Sequence, residues 1–288
     1  MSRVLCYGVV GVDYLLTIKS YPDADGHARI RSESVQIGGE AANTAVRLAQ
    51  LGVDVTLMGN PVGTDSDGER LKKEIGCTDV DFRIETLKGR TGHAYVISDD
   101  EGHRTILGAF GELRGSSVTE AEWEGVGLAT VDPFVEGSTA VAKSARARGL
   151  PVVSIEVQPN HDLARLSTIV ILSSGMIHRH GCGEPRVVAE ALLKQGVEIA
   201  IVTRGAEGAA VYTVVGSSVV RPIPTDVVDS TGAGDAFRAG LIAGLIEDRP
   251  LEAALRLAAA AASISCRFTG GCGGNVTRRD ALSEARLT

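Results

Sequence analysis

Thr225-Asp226-Val227-Val228-Asp229-Ser230-Thr231-Gly232-Ala233-Gly234-Asp235-Ala236-Phe237-Arg238-Ala239-Gly240-Leu241-Ile242-Ala243-Gly244-Leu245-Ile246 is the stretch whose reading decides the fold. An apolar strand end leads to Asp229, small residues turn from Ser230 to Gly234, and a helix opens near Ala233, apolar almost throughout. The first turn of a helix leaves N–H groups without internal partners, and the macrodipole makes that end attractive to anions. Gly232 and Gly234 carry no Cβ, so a ligand can come close to the backbone. Asp235 puts a carboxylate into the same turn. A phosphate on those amides is repelled by it unless the acid acts on the neighbouring substrate. Phosphoryl transfer resolves the conflict, with the amides holding the migrating group and Asp235 taking the proton of the attacking hydroxyl. A plain helix cap beside a tight turn is the alternative, and it leaves Asp229 and the spaced glycines without a role.

Two other stretches point the same way. Residues 3–10 form a continuous apolar run, as expected of a central strand covered on both faces. Gly11, Val12 and Asp13 follow at its C-terminal end, where open α/β sheets bind ligands, so Asp13 is a candidate acceptor for a ligand hydroxyl or else an ordinary turn residue. Gly8 and Gly11 lack the spacing of a dinucleotide fingerprint. Gly38-Gly39-Glu40-Ala41-Ala42-Asn43 enters a helix ending near Leu51, and Asn43 in its first turn offers both a donor and an acceptor.

These segments resemble the ribokinase-like (PfkB) carbohydrate kinases. Asp229 to Ile242 matches that family's C-terminal signature position by position, and Gly38 to Ala45 resembles its N-terminal one. The resemblance implies an anion hole on Gly232, Ala233 and Gly234, a catalytic base on Asp235, and sugar hydroxyls held by Gly39 and Asn43. It places Thr203, Gly205 and Gly208 of Thr-Arg-Gly-Ala-Glu-Gly beside the phosphates of ATP, with a simple hairpin turn as the other reading. Asp229, with carbonyls of the glycine-rich loop Phe268 to Asn275, would surround a monovalent cation such as K+. Asp229 is also the tentative ligand for Mg2+.

The chain departs from the family's pattern in two places. Between the strand expected at 168–172 and the helix expected at 184–195, the family's Asn and Glu that organise the metal's water shell are missing; Leu172-Ser173-Ser174-Gly175-Met176-Ile177 stands there. Mg2+ would then rest on Asp229, phosphates and water, or be assisted by Glu156 from the neighbouring strand end. Gly52 to Gly63 is one residue longer than usual, with Asn60-Pro61 read as a tolerated loop insertion.

The remaining pattern alternates strands with helices, which predicts an α/β fold: a mainly parallel central sheet flanked by helices, in one domain over residues 1–288. Two strand pairs outside that rhythm, from about 14–36 and 91–107, predict a small β-sheet lid. In the family such a lid also serves a homodimer. Arg104 on the lid is a candidate substrate contact or a solvated strand charge, and Tyr14 and Tyr95 are candidates to stack on a nucleoside base. Glu40 stands where some family members place a lysine beside the sugar, which favours an uncharged sugar or a nucleoside over a sugar phosphate.

Length and composition agree. With 288 residues and a formal charge of −7, the chain has ample core and no electrostatic basis for binding nucleic acid. No run is long and apolar enough to span a membrane, and no signal peptide is evident. Five scattered cysteines, an odd number, read as free thiols, so a cytoplasmic protein is expected. His178, His180 and Cys182 fit no zinc spacing, and Walker, protein-kinase and nucleophile-elbow motifs are absent. The expectation is a kinase acting on a sugar hydroxymethyl group. The alternatives are a nucleoside kinase on the same fold and a sugar- or nucleotide-binding regulator without turnover.

Overall fold

The computed structural model describes residues 2–287. Among these, a nine-stranded sheet runs Gly216–Val220, Ala209–Thr213, Ile199–Thr203, Ile169–Ser173, Val152–Ile155, Val126–Val131, Arg3–Gly8, Val55–Gly59, Val80–Phe82 from edge to edge. Every neighbouring pair from Ile199–Thr203 to Val80–Phe82 is parallel, and the first two strands of the order form an antiparallel hairpin extension. Period-2 alternation explains how this sheet separates two cores. From the first strand, Val4 and Cys6 join one apolar cluster, while Leu5 and Tyr7 join the other. Helices Glu40–Gln50, Ala233–Ile246 and Leu251–Ser265 cover the first face; Ser138–Ala147 and Pro185–Lys194 cover the second.

The chain starts in mid-sheet at Arg3–Gly8, builds outward to Val80–Phe82, and then returns to the other side of its first strand at Val126–Val131. That reversal makes a switch point, and the crevice above it is where α/β sheets bind ligands. Val9, Val10 and Asp132 lie at its rim.

A separate four-stranded sheet, in the order Ile30–Gly38, Gly11–Ile18, His93–Ser98, Arg104–Ala109, is the expected lid. Its central strand begins at Gly11, three residues earlier than the sequence suggested. Asp13 therefore sits within a lid strand, paired with Gln36 and Ala94, instead of in a loop after the first strand. Asn60 also departs from expectation. It is buried, its Oδ1 accepts from Val10 N at 2.9 Å, and its Nδ2 donates to Val10 O at 2.9 Å. Asn60 thus fastens the chain just before the lid's first strand.

Candidate active site

Two helices that open on glycine bring the signatures together. Gly39 (φ 93°) precedes Glu40–Gln50, and Gly232 (φ 74°) precedes Ala233–Ile246. Both φ values lie in the region that favours glycine. The surroundings are also too tight for a side chain: a Cβ on Gly39 would lie 2.3 Å from Val9 O, and one on Gly232 would lie 2.5 Å from the Cα of Gly271. Gly234, by contrast, faces open space. Neither helix has a side-chain cap; Ala41 N donates to Val9 O and Ala233 N to Ser230 O, both at 3.2 Å, so of the expected anion-hole amides Ala233 is already engaged.

The helices pack against each other, so Asn43 Nδ2 donates to Asp235 Oδ2 at 3.2 Å across 192 residues of sequence. The Asp235 side chain is 12% exposed, partly buried yet still reachable. Asn43 Oδ1 accepts from Cys272 Sγ at 3.0 Å, which ties the glycine-rich loop to the same point. Asp13 comes in from the lid strand and is buried, and its charge raises Asp235.

Acids crowd this crevice. Burial pushes Asp235 up to about 7, Arg238 pulls it down, and Asp132 raises it further. Asp13 is likewise raised to about 7 by burial and Glu40, with Arg104 opposing. Glu40 is raised to about 8 by burial together with Asp132 and Asp235. The folded site thus lifts Asp235 well above the ordinary carboxylate range.

Arg104 reaches over from the lid, and its Nη1 donates to Thr231 Oγ1 at 3.1 Å. Asp229 organises that loop: its Oδ1 accepts from Thr231 N at 2.8 Å and Thr231 Oγ1 at 2.7 Å, and its Oδ2 accepts from Gly270 N at 2.8 Å. One lone pair on Oδ2 remains for a further partner. Three carbonyls of the glycine-rich loop are already engaged: Arg47 donates to Gly271 O (3.0 Å), Gly273 O (2.8 Å) and Gly274 O (3.2 Å).

At the neighbouring strand ends, Thr203 pairs with Ser173 in the sheet, and Thr203 Oγ1 donates to Leu172 O at 3.3 Å. Gly205 (φ 54°) and Gly208 (φ 80°) turn the chain into the hairpin. Glu156 stands next to these strand ends and accepts from Ser173 N at 3.2 Å, at the start of the short helix Ser174–Arg179. Its φ of 51° is a strained value for a non-glycine residue, of the kind that concentrates at functional sites. Burial raises its carboxyl, opposed by the bond to Ser173. Among the described residues, no cluster of three or more His, Cys, Asp or Glu is arranged to hold a metal ion.

Sequence reasoning missed Arg238 and Asp132. Both are fully buried and paired, Nη1 to Oδ1, at 2.5 Å. Arg238 Nε donates to Thr44 Oγ1 at 2.8 Å, Nη2 donates to Glu40 O, and Nη2 lies 3.4 Å from Asp235 Oδ1. An arginine in an otherwise apolar helix, three residues after the candidate base, was the available signal. Tyr14 and Tyr95, expected to be free for a base, stack on each other at 5.3 Å, and Tyr14 OH donates to Asp67 at 2.8 Å.

Comparison with known proteins agrees with this geometry. The family model for pfkB family carbohydrate kinases matches residues 1–127 and 138–278. An ATP-dependent ribose-1-phosphate kinase of Halopiger xanaduensis is 32% identical, over 94% of this chain and 94% of its own length. A nucleoside kinase of Methanocaldococcus jannaschii is 27% identical over 99% of this chain and 96% of its own. Among solved structures, a ribokinase from Thermotoga maritima superposes with a TM-score of 0.84 at 17% identity, covering 99% of this chain and 100% of that one. A ribokinase of Arabidopsis thaliana complexed with ribose and ATP superposes with a TM-score of 0.81 at 22% identity, covering 100% and 99%.

Proposed function

The chain belongs to the pfkB family of carbohydrate kinases, and from that premise we propose that it transfers the γ-phosphate of ATP to the hydroxymethyl group of a small sugar. The observation that carries this reading is the contact of Asn43 with Asp235 at the foot of a glycine-opened helix, 3.2 Å apart. Asp13, Gly39 and Asn43 hold the ring hydroxyls. Asp235 accepts the hydroxymethyl proton as the oxygen bonds to phosphorus and the bond to the ADP oxygen breaks. The amides of Gly232 and Gly234, joined by that of Ala233 when it turns from Ser230 O, stabilise the migrating phosphoryl group. Thr203, Gly205 and Gly208 flank the remaining phosphates.

Bound Mg2+ supplies neutralising charge on those phosphates. Glu156 and the free lone pair of Asp229 are this chain's carboxylate groups for its water shell, in place of the missing Asn and Glu. A monovalent ion near Asp229 would draw on loop carbonyls that Arg47 leaves free. Mn2+ binding in the presence of a non-hydrolysable ATP analogue is expected to weaken in Glu156→Gln and hold in Glu252→Gln, whose exposed carboxylate pairs with Arg256 on a helix surface.

A second acceptor reading is a ribose phosphate. The relative with 32% identity acts, by its name, on ribose 1-phosphate. Two features support carrying that here: Arg104 hangs over the crevice, and Glu40, raised to about 8, is mostly uncharged at neutral pH and so repels phosphate less than its sequence suggested. The nucleoside reading loses its lid aromatics to the Tyr14–Tyr95 stack. Ile30, Ile106 and Leu107, each about half exposed on the lid, favour pairing with a second copy, which light scattering of Leu107→Asp would test. Among the described residues no helix is long and apolar enough to cross a membrane. ADP release over ribose, ribose 1-phosphate, other sugars and nucleosides, with Asp235→Asn as control, decides among the readings. Ligand-induced thermal stabilisation without ADP release would leave a binding protein.

A further inference from the structure

The base does not stand alone in its crevice. Behind it, a guanidinium with no solvent exposure is fixed at four points: Asp132 from one strand end, Thr44 Oγ1 and Glu40 O from the facing helix, and Asp235 itself. Asp132 is fixed in turn, its Oδ2 accepting from Val9 N at 3.1 Å. A buried ion pair of this kind is weak evidence for stability, because desolvation offsets most of its attraction. A positional role explains it better. We propose that Arg238 and Asp132 are a positioning pair for Asp235, with Arg238 fixing the orientation and charge of the base and Asp132 setting how much of the guanidinium's charge the base receives.

The pair acts in opposite directions on the base. Arg238 favours the carboxylate of Asp235; Asp132 disfavours it, both directly and by neutralising Arg238. Other charged or titratable groups face the same point: Asp13 and Arg104 from the lid, Glu40 and Arg47 from the facing helix, Cys6 from the first strand, and Cys272 from the glycine-rich loop. None of them changes in the variants below. Burial works against the charge of Arg238, and Asp132 and Asp235 more than restore it, so the guanidinium stays cationic throughout the titration of the base.

This inference rests on Asp235 being the base, so its test reads the ionisation of Asp235 directly. The full-length protein is labelled at aspartate carboxyl carbons, and Asp235 is assigned by Asp235→Asn and titrated by NMR. Arg238→Met is expected to move the midpoint upward by about one pH unit or more, and Asp132→Asn to move it downward. Arg238→Lys, which restores charge without the fork geometry, is expected to return the midpoint most of the way while kcat stays reduced. If Arg238→Met does not fold, Arg238→Met/Asp132→Asn removes both buried charges, and its midpoint is expected to lie between those of the two single changes. At pH 7 the kcat of folded Arg238 variants is expected to fall roughly 10- to 100-fold with KM for ATP within about twofold. Midpoints that move together, or not at all, would overturn the proposal. Opposed shifts without turnover on any acceptor would leave the pair intact and sink the kinase reading instead.

Discussion

Helices Glu40–Gln50 and Ala233–Ile246 start alike and end up with different chemistry. Each follows a glycine at positive φ, has no side-chain cap, and carries one acid in its first turn. Glu40 and Asp235 are both pushed up by burial. Asp235, however, is given the Asn43 amide and the edge of the Arg238 guanidinium. Glu40 contributes its carbonyl to that guanidinium, and burial, with Asp132 and Asp235 adding to it, raises its own carboxyl to about 8. A shared backbone geometry thus supplies two anion-accepting ends, and the side chains around each one decide which acid carries a usable charge at neutral pH.

That contrast can be broken most sharply at the acids. Asp235→Asn is expected to lose on the order of a hundredfold or more in turnover, measured as ADP release, whereas Glu40→Gln is expected to lose no more than a few-fold. Equal losses would erase the distinction between the two helix starts. Gly232→Ala comes next. The added methyl meets the backbone of Gly271 in a left-handed conformation, so a destabilisation of about 1–3 kcal/mol is expected from urea unfolding, with loss of turnover beyond it.

Acid titration should sharpen the comparison further. Asp13, Glu40 and Asp235 have folded values (about 7, 8 and 7) above their ordinary ones, so the folded state binds protons more tightly than the unfolded chain. Their contribution is present in full below about pH 4 and is lost as pH rises through 7 to 8. Thermal midpoints are therefore expected to fall from pH 5.5 to pH 8.5, and Glu40→Gln to flatten the upper part of that fall. The smallest effect is expected at Arg104: Arg104→Ala should raise acceptor KM a few-fold and change stability by no more than about 0.5 kcal/mol.

Much of this site was readable from the chain because its parts are backbone devices with sequence marks. The spaced glycines at 232 and 234, the double glycine before Glu40, and the apolar run from Arg3 each dictate a local geometry, and the alternation of strands and helices fixes their relative places. What was not readable depends on packing between distant segments. Asn60 looked like loop filler until its amide was seen bonded both ways to Val10. Nothing in the sequence singles out Arg47, yet its guanidinium supports three carbonyls of a loop more than 220 residues away. Asp13 was placed one element too early because strand and lid are joined by only Val9 and Val10, with no turn signal between them. The altered acidity of Asp235 was beyond sequence altogether, since it arises from the desolvation that the closed crevice imposes.

The contact between Arg104 and Thr231 also bears on how the cleft admits its ligands. Arg104 Nη1 donates to Thr231 Oγ1 and Gln36 Nε2 to Thr269 O, so two side-chain bonds tie the lid to the loop that carries Asp229 and to the glycine-rich turn. On the proposed kinase reading, a phosphate arriving beside Thr231 would offer the same guanidinium a stronger, charged partner and so draw the lid toward the acceptor.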